Sequence, residues 1–144
     1  MLDDFISNVI TITTSCFGGT KPIQLVGGHF KRSDIQKDYG VFLAQQKEDL
    51  QQQRIMVVRN LEDIPAQAAQ AFHTICDTQE PLVDNAVIYL TLDMSRVRNV
   101  YELTEESAMS EAERSLRALW KNSLPPEVLE SLITRLTENV YRIV

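Results

Sequence analysis

The sequence has no apolar run that approaches the roughly 20 residues needed to cross a bilayer. Its first residues, MLDDFISN, are acidic where a secretory signal peptide would be basic. Taken as it stands, the sequence predicts a soluble chain that does not enter the secretory pathway.

Basic residues are also scarce, with 14 Lys and Arg against 20 Asp and Glu, which gives a net charge of −6. A domain that binds nucleic acid needs a basic face to displace counterions, so we expect no nucleic-acid partner. Hydrophobic residues make up 44% of the chain, as in ordinary globular proteins. At 144 residues we expect one domain, spanning 1–144.

Cysteine and histidine are nearly absent. Cys16 and Cys76 form neither a CxxC pair nor a metal-site spacing, and their simplest interpretation is two buried thiols. The sequence leaves a disulfide open. His29 and His73 have no carboxylate or cysteine at a motif spacing, so His73 is expected to be structural.

The nucleotide-binding motifs GxxxxGK[ST] and GxGxxG are missing, and so is the GxSxG elbow of hydrolases. The stretch FGGTK ends at Lys21, which precedes a predicted strand, whereas a phosphate loop leads into a helix. The run IMVV ends in Arg59 and Asn60, with Glu62 and Asp63 displaced into the loop. A positive charge at that point opposes Mg²⁺ binding. We therefore predict no metal and no nucleotide site of the chain's own.

The most informative stretch is 54–93, where two apolar β-branched runs, IMVV and AVIYLTL, enclose one helical pattern. Apolar runs bounded by polar residues are typical of strands buried on both faces. Strand, helix and strand with short connections predict a βαβ unit and a parallel sheet. The helix is expected to pack through Ala66, Ala68, Ala69, Ala71, Phe72 and Ile75.

The remaining patterns alternate between the two element types, although the β-branched run VITITT weakens the first helix. We predict a helix from Leu2 to the Gly18-Gly19 stop, a strand at 23–26, a loop at 29–37, a helix at 39–50, a connection at 94–99, a loop or first helical turn at 102–107, a helix capped by Ser110 and Glu113, a helix from Pro125-Pro126 and a strand at 140–144. This alternation predicts a doubly wound α/β sheet flanked by helices.

The stretch 54–93 resembles the lumenal activation domain of the torsin cofactors, the lamina-associated-polypeptide and torsin-interacting protein family. The resemblance is carried by the turn Leu61–Pro65, by a short helix ending in Cys76-Asp77, and by the second apolar strand. The segment Leu132–Leu136 is similar to the closing helix of that family. Looser matches extend it over most of the chain. The resemblance implies a degenerate AAA+-like fold that binds no nucleotide.

The resemblance also implies a function. The chain would be no enzyme but an activator of a torsin AAA+ ATPase, acting in a mixed ring, with ATP and Mg²⁺ carried by the partner. The residue that matches the family's arginine finger is Arg135. A guanidinium placed in trans stabilises the charge of the transferring phosphoryl group. Without the resemblance, Arg135 would be interpreted as a surface residue that pairs with Ser131 or Glu138.

The chain departs from the family pattern in two ways. The family's domain opens with a further strand at the sheet centre, so we expect an N-terminally incomplete domain that lacks this first strand. In the full-length protein a membrane segment would lie outside this chain, with the domain in the lumen of the endoplasmic reticulum or perinuclear space at the inner nuclear membrane. The family's cysteine that pairs with the one matching Cys76 is missing near the C-terminus. Cys76 is then a structural thiol or pairs with Cys16.

Two other functions are compatible with these residues. The chain could be an interaction or scaffold module of the same fold that does not stimulate an ATPase. It could also be a fragment of a nucleotide hydrolase whose phosphate loop lies before Met1, although Arg59 and Asn60 stand where a hydrolase would keep acids.

Overall fold

Three parallel strands form an open sheet in the computed structural model, which describes residues 2–17, 21–97 and 107–143. The strands are β1 (Ile23–Val26), β2 (Ile55–Arg59) and β3 (Val87–Leu90), in the spatial order β1-β2-β3. Ile23 lies opposite Met56, and Met56 lies opposite Ile88. The predicted parallel βαβ unit is confirmed.

Eight α-helices are found in the described ranges. They are α1 (Leu2–Phe17), α2 (Ser33–Lys37), α3 (Tyr39–Gln53), α4 (Ala66–Ala69), α5 (Ala71–Ile75), α6 (Met94–Val97), α7 (Ala108–Trp120) and α8 (Pro126–Leu136). Short 3₁₀ turns occupy Gly27–Lys31 and Leu61–Asp63. None of the described helices is long and apolar enough to cross a membrane.

Helices lie on both faces of the sheet. Met56 and Val58 belong to the main core, which also contains buried residues of α3, α5, α7 and α8. Because side chains alternate along a strand, Ile55 and Val57 point to the other face. On that face lies α1, whose Thr13 hydroxyl hydrogen-bonds the Tyr89 hydroxyl at 2.7 Å. The structure is therefore an open α/β sheet flanked by helices.

The main core is organised around aromatic side chains. The ring of Phe30 lies 5.1 Å from that of Phe42 and 5.5 Å from that of Phe72, measured between centroids. Trp120 of α7 is buried, and its indole N–H donates to the Ile64 carbonyl at 3.0 Å. This bond satisfies the one polar group of a large side chain and fixes α7 against the loop that follows β2.

Several predicted elements are confirmed, among them β1, β2, α1, α3 and α8. All six residues expected to pack the helical segment after Pro65 are buried. Helix α1 continues through its β-branched run, where Thr11 and Thr13 hydroxyls donate to the carbonyls of Ser7 and Val9. These bonds satisfy the hydroxyls of Thr11 and Thr13 within the helix, whereas the buried Thr14 hydroxyl has no partner among the described residues.

Three local predictions are wrong. The expected loop at 29–37 contains α2, whose Ile35 is buried in the core. The expected connection at 94–99 contains α6. The single helix predicted between β2 and β3 is split in two at Gln70, which ends α4 and precedes α5. Helices of four or five residues are too short to show a 3.6-residue period in the sequence.

The N-cap of α7 is also different from the prediction. Ser107, not Ser110, accepts a hydrogen bond from the Ser110 N–H at 3.1 Å, so the helix begins three residues earlier than expected. The predicted loop or first helical turn at 102–107 lies almost entirely outside the described residues.

Two predictions about strands, for β3 and for residues 140–144, also differ from the structure. Strand β3 is half-buried rather than buried on both faces, because it lies at an edge of the described sheet. The predicted strand at 140–144 is not a strand in its described part, 140–143. There, Arg142 donates to the buried Glu111 carboxylate on α7 at 2.7 Å, which holds the segment against a helix instead.

The loops after β1 and β2 meet at Gly27. A Cβ atom added to Gly27 would lie 2.0 Å from the backbone oxygen of Asn60, whereas one added to Gly28 would meet nothing within 4 Å. We expect Gly27→Ala to lower the free energy of unfolding by about 3 kcal/mol or more, since a backbone oxygen has no room to yield.

The matched control is Gly28→Ala, which should change it by less than about 0.5 kcal/mol. Urea unfolding followed by circular dichroism measures both. Equal effects of the two substitutions would contradict the close packing of these loops.

Candidate functional site

The carboxyl ends of β2 and β3 meet at one edge, where open α/β sheets usually hold their ligands. Asn60, with φ of 62°, turns the chain out of β2, and its side-chain amide donates to Glu62 at 2.8 Å. The Leu61 N–H then donates to the Thr91 carbonyl at 2.9 Å. These contacts return Glu62 and Asp63 to the sheet edge, beside the chain that leaves β3.

Arg96 of α6 binds both of these carboxylates. Its Nη1 donates to Glu62 Oε1 at 3.0 Å and to Asp63 Oδ2 at 2.9 Å, and its Nη2 donates to Asp63 Oδ1 at 2.7 Å. The two-pronged contact with Asp63 is the strongest geometry for this pair of groups. The Glu62 side chain is only 3% exposed, so Arg96 contacts it where water has little access.

The contact with Arg96 affects the ionisation of Asp63. Its hydrogen bonds hold the pKa of Asp63 below the ordinary value of the carboxyl, and the same contacts raise the pKa of Arg96. At the end of β2, Arg59 pairs with Asp3 of α1 and lowers the pKa of that carboxyl as well. Arg59 and Arg96 are thus both bound to carboxylates at this edge.

The sequence placed Glu62 and Asp63 in a loop and did not identify Arg96 at all. Arg96 is 33 residues from Asp63 along the chain, and no spacing rule connects residues that far apart. The only available signal is geometric, since residues that follow neighbouring parallel strands end at the same sheet edge.

Arg135 lies on α8 with its side chain 28% exposed. Its Nη1 donates to the hydroxyl of Ser131 at 2.8 Å and to the carbonyl of the same residue at 3.2 Å. Its Nη2 lies 3.4 Å from Asp77 Oδ2, a long contact. The buried Nε has no hydrogen-bond partner in the described part of the chain. The contact with Ser131 is one of the two expected if Arg135 is a surface residue, and the other, with Glu138, is not found in the described part of the chain.

Asp77 and His73 complete this network. Asp77 accepts hydrogen bonds from the backbone N–H groups of Gln79 and Glu80, which, together with Arg135, hold its pKa below the ordinary value. His73 Nε2 and the Ser131 hydroxyl share a hydrogen bond of 2.8 Å. His73 therefore links α5 to α8, as expected of a structural histidine.

The two cysteines are both free, and no disulfide joins them. Cys76 is half-buried at the end of α5, and burial raises the pKa of its thiol to about 12, so the structural-thiol interpretation fits. Cys16 is exposed on α1, which corrects the prediction of two buried thiols. No group of three metal-ligating residues is found in the described ranges.

A groove of about 750 Å³ runs between β3 and the C-terminal ends of α5 and α8, which we call the β3 groove. Its floor and walls include the apolar side chains of Leu50, Ile75, Ile88, Leu90 and Leu136. Arg135 lies at its rim, with the carboxylates of Asp77, Asp84 and Glu138. Apolar side chains and charged groups thus both line the groove.

No protein-family model matches the chain. Its sequence is 30% identical over 141 residues to replicase polyprotein 1ab of Alphamesonivirus 1 (isolate Aedes harrisoni/Cote d'Ivoire/C79/2004). The match covers 96% of this chain and 3% of the polyprotein. The chain is therefore similar, along almost its whole length, to a small part of a viral replicase polyprotein.

Arg96→Ala should lower the melting temperature at neutral pH, since it leaves the Glu62 carboxylate buried without its cation. Asp63 has a lowered pKa in the folded state, so its contribution to stability is full above the ordinary value of 3.8 and is lost as pH falls through the lower folded value. The difference between wild type and Arg96→Ala should therefore shrink in acid. Calorimetry at several pH values measures it.

The control is Arg117→Ala, which breaks the ion pair between Arg117 of α7 and Glu130 of α8. Because the Glu130 side chain is 53% exposed, its loss of a partner should matter less than that of Glu62. A variant without Arg96 that melts at the wild-type temperature would contradict the structural role of this cluster.

Proposed function

We propose that this chain is a non-catalytic protein-interaction module that works as one part of a viral replicase polyprotein. The near-complete match to a stretch of replicase polyprotein 1ab supports the polyprotein setting. The open parallel sheet, whose described part has a strand edge beside a groove lined by apolar and charged residues, supports a binding role.

The observation that carries the non-catalytic part is the ion-pair cluster at the carboxyl ends of β2 and β3. Ligands of open α/β sheets bind outside this edge. Here Glu62 and Asp63, the carboxylates that could hold Mg²⁺, are bound by Arg96. A cation at this position competes with a metal for the same oxygens.

A second candidate follows from Arg135. In it, the fold is AAA+-like, and the chain activates a torsin-type ATPase by placing the Arg135 guanidinium beside the partner's ATP. The long 3.4 Å contact with Asp77 and the partial exposure of the side chain favour it. The guanidinium would have to leave Ser131 to reach a phosphate, so this candidate ranks second.

The primary proposal predicts that Mg²⁺ and ATP, alone or together, leave the melting temperature unchanged, since a ligand raises it only by binding the folded state. Differential scanning fluorimetry measures this for wild type and for the double variant Glu62→Gln and Asp63→Asn. A rise with Mg²⁺ and ATP in wild type that is absent from the variant would reject a non-catalytic module.

The finger candidate is tested by ATP hydrolysis of a torsin with and without this chain. If Arg135 acts in trans, stimulation by wild type should vanish with Arg135→Ala. It should persist with Arg117→Ala, which removes a guanidinium of α7 that pairs with Glu130 on α8, the helix of Arg135. Losses of 10³- to 10⁵-fold are typical of arginine fingers, so on the order of 10² would already be decisive. Equal hydrolysis with every variant would remove this candidate.

A further inference from the structure

Strand β3 has one side that no described strand covers. The N–H groups of Val87 and Thr91 donate to the carbonyls of Arg54 and Val58 on β2, both at 2.8 to 2.9 Å. In a parallel pair, alternate residues turn their N–H and C=O groups to the same neighbour. The backbone groups of Ile88 and Leu90 therefore point away from β2, and they form no hydrogen bond with a described residue.

The same two residues reach the β3 groove with their side chains. Ile88 and Leu90 are only half-buried against the core, and Leu136 of α8 is half-buried on the opposite wall. A strand that paired with β3 would place every second side chain into this space. An added strand could thus pair with the backbone of β3 and bury its side chains in the β3 groove at the same time.

The margins of the groove carry more negative than positive charge. Among the described residues, Asp77, Asp84 and Glu138 line it together with the guanidinium of Arg135, which already contacts Asp77. Asp84 and Glu138 are exposed and form no ion pair with any residue in the described ranges. An occupant with a basic side chain would complement these two carboxylates.

We infer that the β3 groove binds an extended polypeptide segment in trans, which adds to β3 as a further strand and carries apolar side chains alternating with a basic one. The inference rests on the proposed interaction module and names its binding site. Addition of a strand to a sheet edge derives affinity from main-chain hydrogen bonds and specificity from pockets for alternate side chains.

The chain itself contains a segment of this chemistry. In residues 139–144, NVYRIV, Arg142 lies between Val140 and Val144 at every second position, and Tyr141 is 84% exposed. A capped peptide of this sequence is therefore the probe, added to the ¹⁵N-labelled full chain. We expect amide hydrogen exchange to slow roughly tenfold or more at Ile88 and Leu90, with Tyr89 little changed because its N–H already faces β2.

Peptide variants separate the two contributions. The peptide with Tyr141→Pro loses a main-chain donor and the extended geometry of a strand interior, so it should not protect Ile88 and Leu90. The peptide with Arg142→Glu should bind roughly tenfold more weakly, since it meets Asp84 and Glu138 with like charge.

On the protein, the double variant Asp84→Lys and Glu138→Lys should weaken binding roughly tenfold. The control Glu48→Lys, an exposed charge reversal on α3 away from the groove, should not.

Peptide binding without protection of Ile88 and Leu90 would overturn the groove as the site, and so would absence of binding. A Mg²⁺- and ATP-dependent rise in melting temperature would instead reject the interaction module, so the two failures are distinguishable.

Discussion

The structure depends on the burial of β2. This strand pairs with β1 on one side and β3 on the other, and Ile55–Val58 are each at most 1% exposed. One face of β2 packs against the main core and the other against the side of the sheet where α1 lies. A shift of one residue in its register would turn the side chains of each face to the opposite side of the sheet. Neither set of side chains would then meet the residues it packs against.

The parts of the fold that the sequence predicts well are those with strong local signals. The run IMVV is recognisable because all four of its residues are buried, and the alanine-rich segment after Pro65 because all of its apolar residues are buried. The short helices α2 and α6 have no such signal, and Ile35 is a single buried position in a polar stretch. Their helical form comes from tertiary contacts rather than from pattern.

The candidate site shows the same division. Arg135 and its neighbour Ser131 are four residues apart on one helix, so their contact follows from helical geometry. Asp77 and His73 approach the same helix from α5, 58 residues away in sequence, and the sequence gives no means of pairing them. The Arg96 cluster was missed for the same reason.

The two basic residues play opposite parts in the molecule. Arg96 is held by two carboxylates and serves to neutralise a sheet edge. Arg135 has one long carboxylate contact and a buried Nε that no described residue bonds, so less of its hydrogen-bonding capacity is used. Because of this difference, we interpret Arg96 as structural and test Arg135 for a functional role.

The spatial order β1-β2-β3 follows the order of the strands along the chain, and this has a consequence for synthesis. A ribosome delivers β1, α3 and β2 before β3, so a two-stranded half-sheet is able to assemble while the rest is still being made. Until Val87–Leu90 has been synthesised, the backbone N–H and C=O groups of β2 that later pair with β3 have no strand to bond. That interval is when wrong pairing of β2 with other polypeptide segments is most accessible.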